Sequence, residues 1–286
     1  MNAFPIDHDL HCHTHLSGCS NDPGQTPENL LAFAKAHGYA AMAFTDHFWD
    51  APAVPGSEGT YLDGCGLEHV SADLPLPDGG PVRLAFGCET ELSAARVLGL
   101  APEHCDRFDF IVIPPNHFHM AGFVRPAECA TAERRAELLV SRQETLLGMG
   151  LPWGKVGIAH LNCGLMFADG DLGAVLRAVP EDRFRSAMRC FAERGAGIEL
   201  NMASFDANRR RGIPPEDSLR LFRFARDEGC RFYLASDAHH PAGLELVPRL
   251  APAVVESIGL DSRHAYRLPG REPSPSASLP IRGRAR

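Results

Sequence analysis

The sequence predicts an α/β fold in which parallel strands alternate with helices around one sheet. Three observations point there. Seven short segments have strand character, helix-like stretches separate several of them, and potential metal ligands recur at the strand ends. Strand–helix alternation implies parallel pairing through βαβ units.

The strand-like segments are 6–10, 40–45, 82–88, 109–113, 156–160, 197–201 and 231–236. Thr26-Pro27-Glu28-Asn29 opens a helix with a capping residue and a proline at its first position, and the helix runs to about His37-Gly38. Further helices are predicted over Arg125 to Leu147, Glu181 to Arg194 before Gly195, and Pro215 to Glu228 before Gly229. The segment 48–81 is rich in Gly, Pro and Asp and fits neither period. It is expected to form a lid or rim loop. The Pro/Ser/Arg-rich stretch 269–286 is expected to stay unfolded as a tail, leaving 1–268 as the folded unit.

Composition sets outer bounds. The chain has 286 residues, 44% hydrophobic and 22% charged, enough for one large core. No apolar run approaches the roughly 18 residues that cross a bilayer. The N-terminus lacks a basic stretch followed by an apolar one, so a cytoplasmic protein without a signal peptide is expected. Nine scattered cysteines with no Cys-x-x-Cys pair read as reduced thiols. A formal charge of −8 argues against nucleic acid as a partner.

The placement of ligand-type residues carries the chemistry. His11 and His13 follow the first strand, Asp46 and His47 the second, and Glu89 the third. His117 lies beyond the fourth, with His119 as a rival. His160 and Asn201 end the fifth and sixth, and Asp237 and His239 follow the seventh. In a parallel barrel these ends share one rim. His-x-His and Asp-x-His put both side chains on one side, because strand side chains alternate. Imidazoles and carboxylates crowded together need a cation to offset their charge. Asp9 and Asp46 suit the orienting of ligand histidines better than ligation.

The run Asp9-Leu10-His11-Cys12-His13-Thr14, with Ser17 beyond, resembles the first motif of the PHP (polymerase and histidinol phosphatase) superfamily. Thr45-Asp46-His47, Gly87-Cys88-Glu89, His117, Ala159-His160 and Ser236-Asp237-Ala238-His239 are similar to its later motifs, in order, over roughly residues 6–245. Ile198-Glu199-Leu200-Asn201 with Arg209-Arg210-Arg211 resembles the histidinol-phosphatase-like branch.

The resemblance implies a distorted (β/α)7 barrel with a polynuclear metal site at the C-terminal rim of the strands. It implies two or three divalent ions, Zn, Mn or Fe. One would take His11, His13, Glu89 and Asp237. A second would share Glu89 and take His117 and His160. A third would take His47 and His239 with a ligand from the loop after His13. Here the chain departs from the family pattern: Cys19 stands where a histidine is common, and Asp22 is the preferred alternative.

The expected activity is hydrolysis of a small phosphorylated substrate by a metal-activated hydroxide. Asp237, His239 and Glu89 would be catalytic. Arg209, Arg210, Arg211 and Asn201 are the candidates for binding substrate, the arginines through their guanidinium forks. Competing readings are a metal-dependent hydrolase of a non-phosphate bond, a polymerase-associated nuclease, and a non-catalytic metal-binding module.

Overall fold

The computed structural model describes residues 2–20, 22–51 and 53–270. The expected tail lies outside the described residues from 271 onward. The strands are β1 (His8–Cys12), β2 (Ala41–Phe44), β3 (His47–Phe48), β4 (Arg83–Thr90), β5 (Phe110–Ile113), β6 (Val156–Ile158), β7 (Gly197–Asn201) and β8 (Arg231–Ala235). The path β1-β2-β4-β5-β6-β7-β8 is parallel throughout, and β3 prolongs the line of β2 beside β4. The seven expected strands therefore stand in chain order, each beside the next.

The sheet curls until β8 meets β1, and side chains make part of that seam. The register of β1 shifts between Asp9 and Cys12. His8 Nε2 accepts from the Leu234 N–H at 3.0 Å, and Asp9 Oδ1 accepts from the Ser236 N–H at 3.0 Å. Backbone pairing resumes higher up, with Asp237 N–H to the His11 carbonyl at 2.8 Å and His13 N–H to that of Ala238 at 3.0 Å. Buried N–H groups at the seam thus find acceptors, as burial demands. This seam makes the barrel a distorted one.

Leu10, Ala43, Ala85, Phe110, Val112, Ala159, Tyr233, Ala235 and Tyr266 form an inner core. The rings of Phe110 and Tyr233 meet edge to face at 5.2 Å. Room for them comes from small neighbours: a Cβ at Gly157 would lie 2.7 Å from Phe110 Cζ. Tyr266 joins this core through its backbone bond to Phe232 and a hydroxyl bond to the Gly154 carbonyl. The opposite end, where the strands finish, carries polar groups.

Helices α1 (Pro27–Ala36), α2 (Leu67–Val70), α3 (Ala132–Leu147), α4 (Leu172–Ala178), α5 (Glu181–Arg194), α6 (Met202–Arg210), α7 (Pro215–Asp227), α8 (Pro241–Leu244) and α9 (Leu246–Ile258) complete the fold. On α5, Phe184, Ala187, Met188 and Phe191 recur at helical spacing and are buried, and Gly195 closes the helix at φ 82°. The helix expected from Arg125 begins only at Ala132. Thr131 caps it, while the Arg125 guanidinium holds the Phe118 and Cys129 carbonyls in the preceding loop. Helices α4, α6 and α9 were not anticipated. No helix among the described residues is long and apolar enough to cross a membrane.

Within 48–81, Trp49, Val54, Leu62 and Cys65 pack with Ala101 into a small core of their own. The segment is therefore held by apolar contacts as well as by turns.

Gly157→Ala should lower unfolding free energy by about 1–3 kcal/mol through overpacking against Phe110. Urea denaturation checks this; an unchanged midpoint would mean the inner core is slack at that level.

Candidate metal centre

Each strand end delivers a polar side chain to one rim. The loop after β1 is shaped by Asp46, which accepts from Thr14 N–H at 2.8 Å, Thr14 Oγ1–H at 2.8 Å and Ser17 Oγ–H at 2.6 Å. Since the Ser17 proton goes to Asp46, its oxygen accepts from His13 Nδ1–H at 2.9 Å. On the other side, Glu199 Oε1 accepts from His11 Nδ1–H at 2.6 Å. Both imidazoles thereby turn Nε2 toward the centre of the rim.

Those two Nε2 atoms lie 3.1 Å apart. Glu89 Oε2 is 3.6 Å from each of them, and Asp237 Oδ1 is 3.6 Å from His11 Nε2 and 3.3 Å from His13 Nε2. Two imidazole nitrogens and two carboxylate oxygens thus face one small volume, and a cation among them would draw on all four. The donor types and their mutual geometry fit a divalent transition metal.

Glu89 turns its second oxygen the other way, 3.3 Å from His160 Nε2. His160 is fixed like His11: Asn116 Nδ2–H donates to the His160 carbonyl at 2.7 Å, so Asn116 Oδ1 accepts from His160 Nδ1–H at 3.0 Å. His117 Nδ1–H donates to Glu91, and its ring stacks on that of His160 at 4.7 Å. His119 is exposed beyond it. Cys163 completes a buried group in which its Sγ and the ring nitrogens of His117 and His160 all lie within 4.8 Å of one another.

A third group contains His13, His47 and His239. The His13 and His239 rings stack at 4.0 Å. His47 Nδ1 lies 2.8 Å from Glu89 Oε2 but out of hydrogen-bonding alignment. Burial opposes ionisation of the Cys19 thiol, but the His239 and His47 imidazoles beside it bring it down to about 6.

The backbone is strained where two of these side chains leave their strands. His160 has φ 25° and Asp237 φ 54°, left-handed values that β-carbon sterics disfavour. Electrostatics matches the crowding. Burial opposes ionisation of Glu89 and Asp237, yet the charge of His11, then of the other imidazoles, holds both well below the usual carboxylate range. Burial, reinforced by His239 and His47, pushes His13 well below the usual imidazole value, so His13 stays neutral. Burial raises the Cys163 thiol to about 12.

Several expectations need correction. Asp22 does not join the third group; its Oδ1 accepts from the Gly24 N–H at 2.8 Å within its own turn, and Cys19 occupies the position against the histidines. Arg209 and Arg210 sit at the far end of α6, paired with Asp206 at 3.1 and 2.8 Å. Arg211 donates to the carbonyls of Gly164, Phe167 and Gly170. A nine-residue helix carries these arginines away from the rim, so their charges serve other partners. Asn201, open in the sequence to orienting a ligand or contacting substrate, is buried at the rim beside Asp237. It donates to Asp237 Oδ2 at 3.1 Å, while its Oδ1 caps α6 through Ser204 N–H at 2.8 Å.

Other residues escaped sequence reasoning. Glu199 holds His11 and also accepts from the His160 N–H at 2.5 Å. A glutamate inside the apolar run Gly197-Ile198-Glu199-Leu200 was the available signal. Asn116 and Cys163 lie within three residues of expected ligands, but proximity in sequence does not reveal direction, and Glu91, in the sequence a rival to Glu89, instead accepts from His117. Tyr61, from the 48–81 segment, donates its hydroxyl to Glu91 at 2.9 Å and meets the His47 ring edge-on at 5.1 Å. Nothing in its sequence context marked it.

No protein-family model matches the chain, and no curated protein matches its sequence. Solved structures do resemble it. Histidinol phosphate phosphatase from Lactococcus lactis subsp. lactis Il1403, solved with zinc, L-histidinol and phosphate, is 14% identical with a TM-score of 0.53. The match covers 92% of this chain and 99% of that one. A triazine hydrolase variant is 14% identical over 82% of this chain and 60% of its own, with a TM-score of 0.41. Ochratoxinase from A. niger is 13% identical over 94% and 69%, with a TM-score of 0.40. The first likeness extends over nearly the whole of both chains, and the α/β barrel described above is the fold the two proteins share.

Proposed function

We propose that this chain is a metal-dependent hydrolase of a small phosphate ester, with residues 1–268 as its catalytic unit and 48–81 as the rim of its site. One observation carries the reading. Glu89 presents one oxygen to the His11 and His13 Nε2 atoms and the other to His160, the arrangement of a carboxylate shared by two cations.

The residues would divide as follows. His11, His13, Asp237 and Glu89 Oε2 would hold one ion. His117, His160 and Glu89 Oε1 would hold a second. His47 and His239 would hold a third, with Cys19 replacing Asp22. Zinc, manganese and iron all suit nitrogen and carboxylate donors. Divalent ions there supply Lewis acidity that activates water and polarises phosphoryl oxygens. The chain does the positioning. Glu199, Ser17, Asn116 and Glu91 hold the imidazoles in their tautomers, and Asn201 turns Asp237 inward. Nine unpaired cysteines suit a reducing cytoplasm.

One observation favours a second reading, hydrolysis of a non-phosphate bond. The three arginines expected to grip phosphate are committed to Asp206 and to loop carbonyls.

Protein purified without chelator should carry at least two equivalents of transition metal by elemental analysis, and Glu89→Ala should lose at least one. Metal-free protein would sink the reading. Glu199→Gln removes no ligand but weakens the hold on His11. It should lower metal affinity by about 10–100-fold in competitive chelator titrations, and an unchanged affinity would remove the orienting role. His11→Ala and Asp237→Ala should reduce turnover of an aryl phosphate with Mn²⁺ or Zn²⁺ to background. Wild-type inactivity on a panel of phosphorylated metabolites would shift the weight to the second reading.

A further inference from the structure

Cys163 stands outside every motif discussed above, yet its sulfur sits among ligand nitrogens. It follows β6 by five residues, in the turn His160-Leu161-Asn162-Cys163 whose Cys163 N–H donates to the His160 carbonyl at 2.9 Å. That turn folds the side chain back over the His160 ring. The residue is 7% exposed, so its thiol faces the interior rather than solvent.

The surroundings are those of a ligand. The ring nitrogens of His117 and His160 and Cys163 Sγ lie within 4.8 Å of one another, and all three residues are buried. Both Nδ1 atoms are committed outward, to Glu91 and to Asn116, which leaves Nε2 as the free nitrogen of each ring. Glu89 Oε1 adds a carboxylate oxygen 3.3 Å from His160 Nε2. Two imidazoles and a thiol form a three-donor set, with the Glu89 carboxylate beside His160, and nitrogen and sulfur donors suit tetrahedral coordination.

We propose that Cys163 is a thiolate ligand of the ion held by His117 and His160, which makes this position selective for a softer, tetrahedral metal such as zinc. The inference rests on the metal reading proposed above and extends it. On binding, the thiol gives its proton to solvent and the sulfur lone pair forms the metal–sulfur bond, with no change of oxidation state. The charge on the sulfur offsets part of the cation's charge. Soft thiolate ligands discriminate against manganese and magnesium, which prefer oxygen. The site would then hold one ion chosen by sulfur beside another chosen by nitrogen and carboxylate alone.

The test uses full-length protein loaded with Co²⁺, a spectroscopic stand-in for zinc. Cys19 is removed first, because it touches His47 and His239. Cys19→Ser protein should show the near-ultraviolet sulfur-to-cobalt charge-transfer band together with visible d–d bands. Adding Cys163→Ser should abolish the charge-transfer band while cobalt remains bound through the histidines. A second variant, Cys163→Asp, should lose the same band and shift metal retention from Zn²⁺ towards Mn²⁺ in elemental analysis after mixed-metal dialysis. Cobalt bound with d–d bands but no charge-transfer band in Cys19→Ser protein overturns this inference alone. The same holds if the band survives both Cys163 substitutions. Failure of the wild-type protein to bind cobalt at all overturns the metal reading itself.

Discussion

The rest of the site depends on which way its imidazoles are turned. His11 and His13 each use Nδ1–H to donate, to Glu199 and to Ser17, and so point Nε2 at each other across 3.1 Å. Glu89 and Asp237 crowd the same volume with carboxylate oxygens. A cation turns mutual repulsion into coordination. Every outward hydrogen bond at the rim keeps the protons on the outer face of the rings and the lone pairs on the inner one.

The barrel is distorted where this requirement is met. An evenly paired seam between β8 and β1 would use the Leu234 and Ser236 N–H groups in a ladder. Instead His8 and Asp9 accept them, and on its other side β1 shifts register against β2 between Asp9 and Cys12. Asp237 leaves the opposite side of the seam with φ 54°. The closure that gives the barrel its stability also brings the first and last ligand-bearing segments face to face. The inner core of Phe110, Tyr233 and Tyr266 lies below, so the polar groups are confined to one end.

The 48–81 segment joins the site at one residue. Tyr61 binds Glu91, which holds His117, and the Tyr61 ring lies against His47. A loop with its own small core around Trp49 is thereby coupled to two of the imidazoles. Its orientation affects the rings directly, through one carboxylate and one aromatic edge. Arg209 to Arg211, by contrast, are separated from the rim by the length of α6, though Asn201 at its start is part of the cluster.

Strand order, the common rim and most of the ligand-type residues gathered there were legible in the chain alone. Strand periodicity and the recurrence of His, Asp and Glu at strand ends are local patterns, and parallel winding turns them into one neighbourhood without further information. His11, His13, His47, Glu89, His117, His160, Asp237 and His239 were legible for that reason. Directions were not. Whether Asp22 or Cys19 meets His47 depends on which way a short turn folds, and Asp22 is drawn back by the Gly24 N–H. Whether three arginines reach a pocket depends on a helix whose start is an asparagine cap and whose end lies elsewhere. Glu199, Asn116 and Cys163 entered the site through contacts made by the closed barrel. Such contacts pair residues far apart in the chain, and only the tertiary structure decides them.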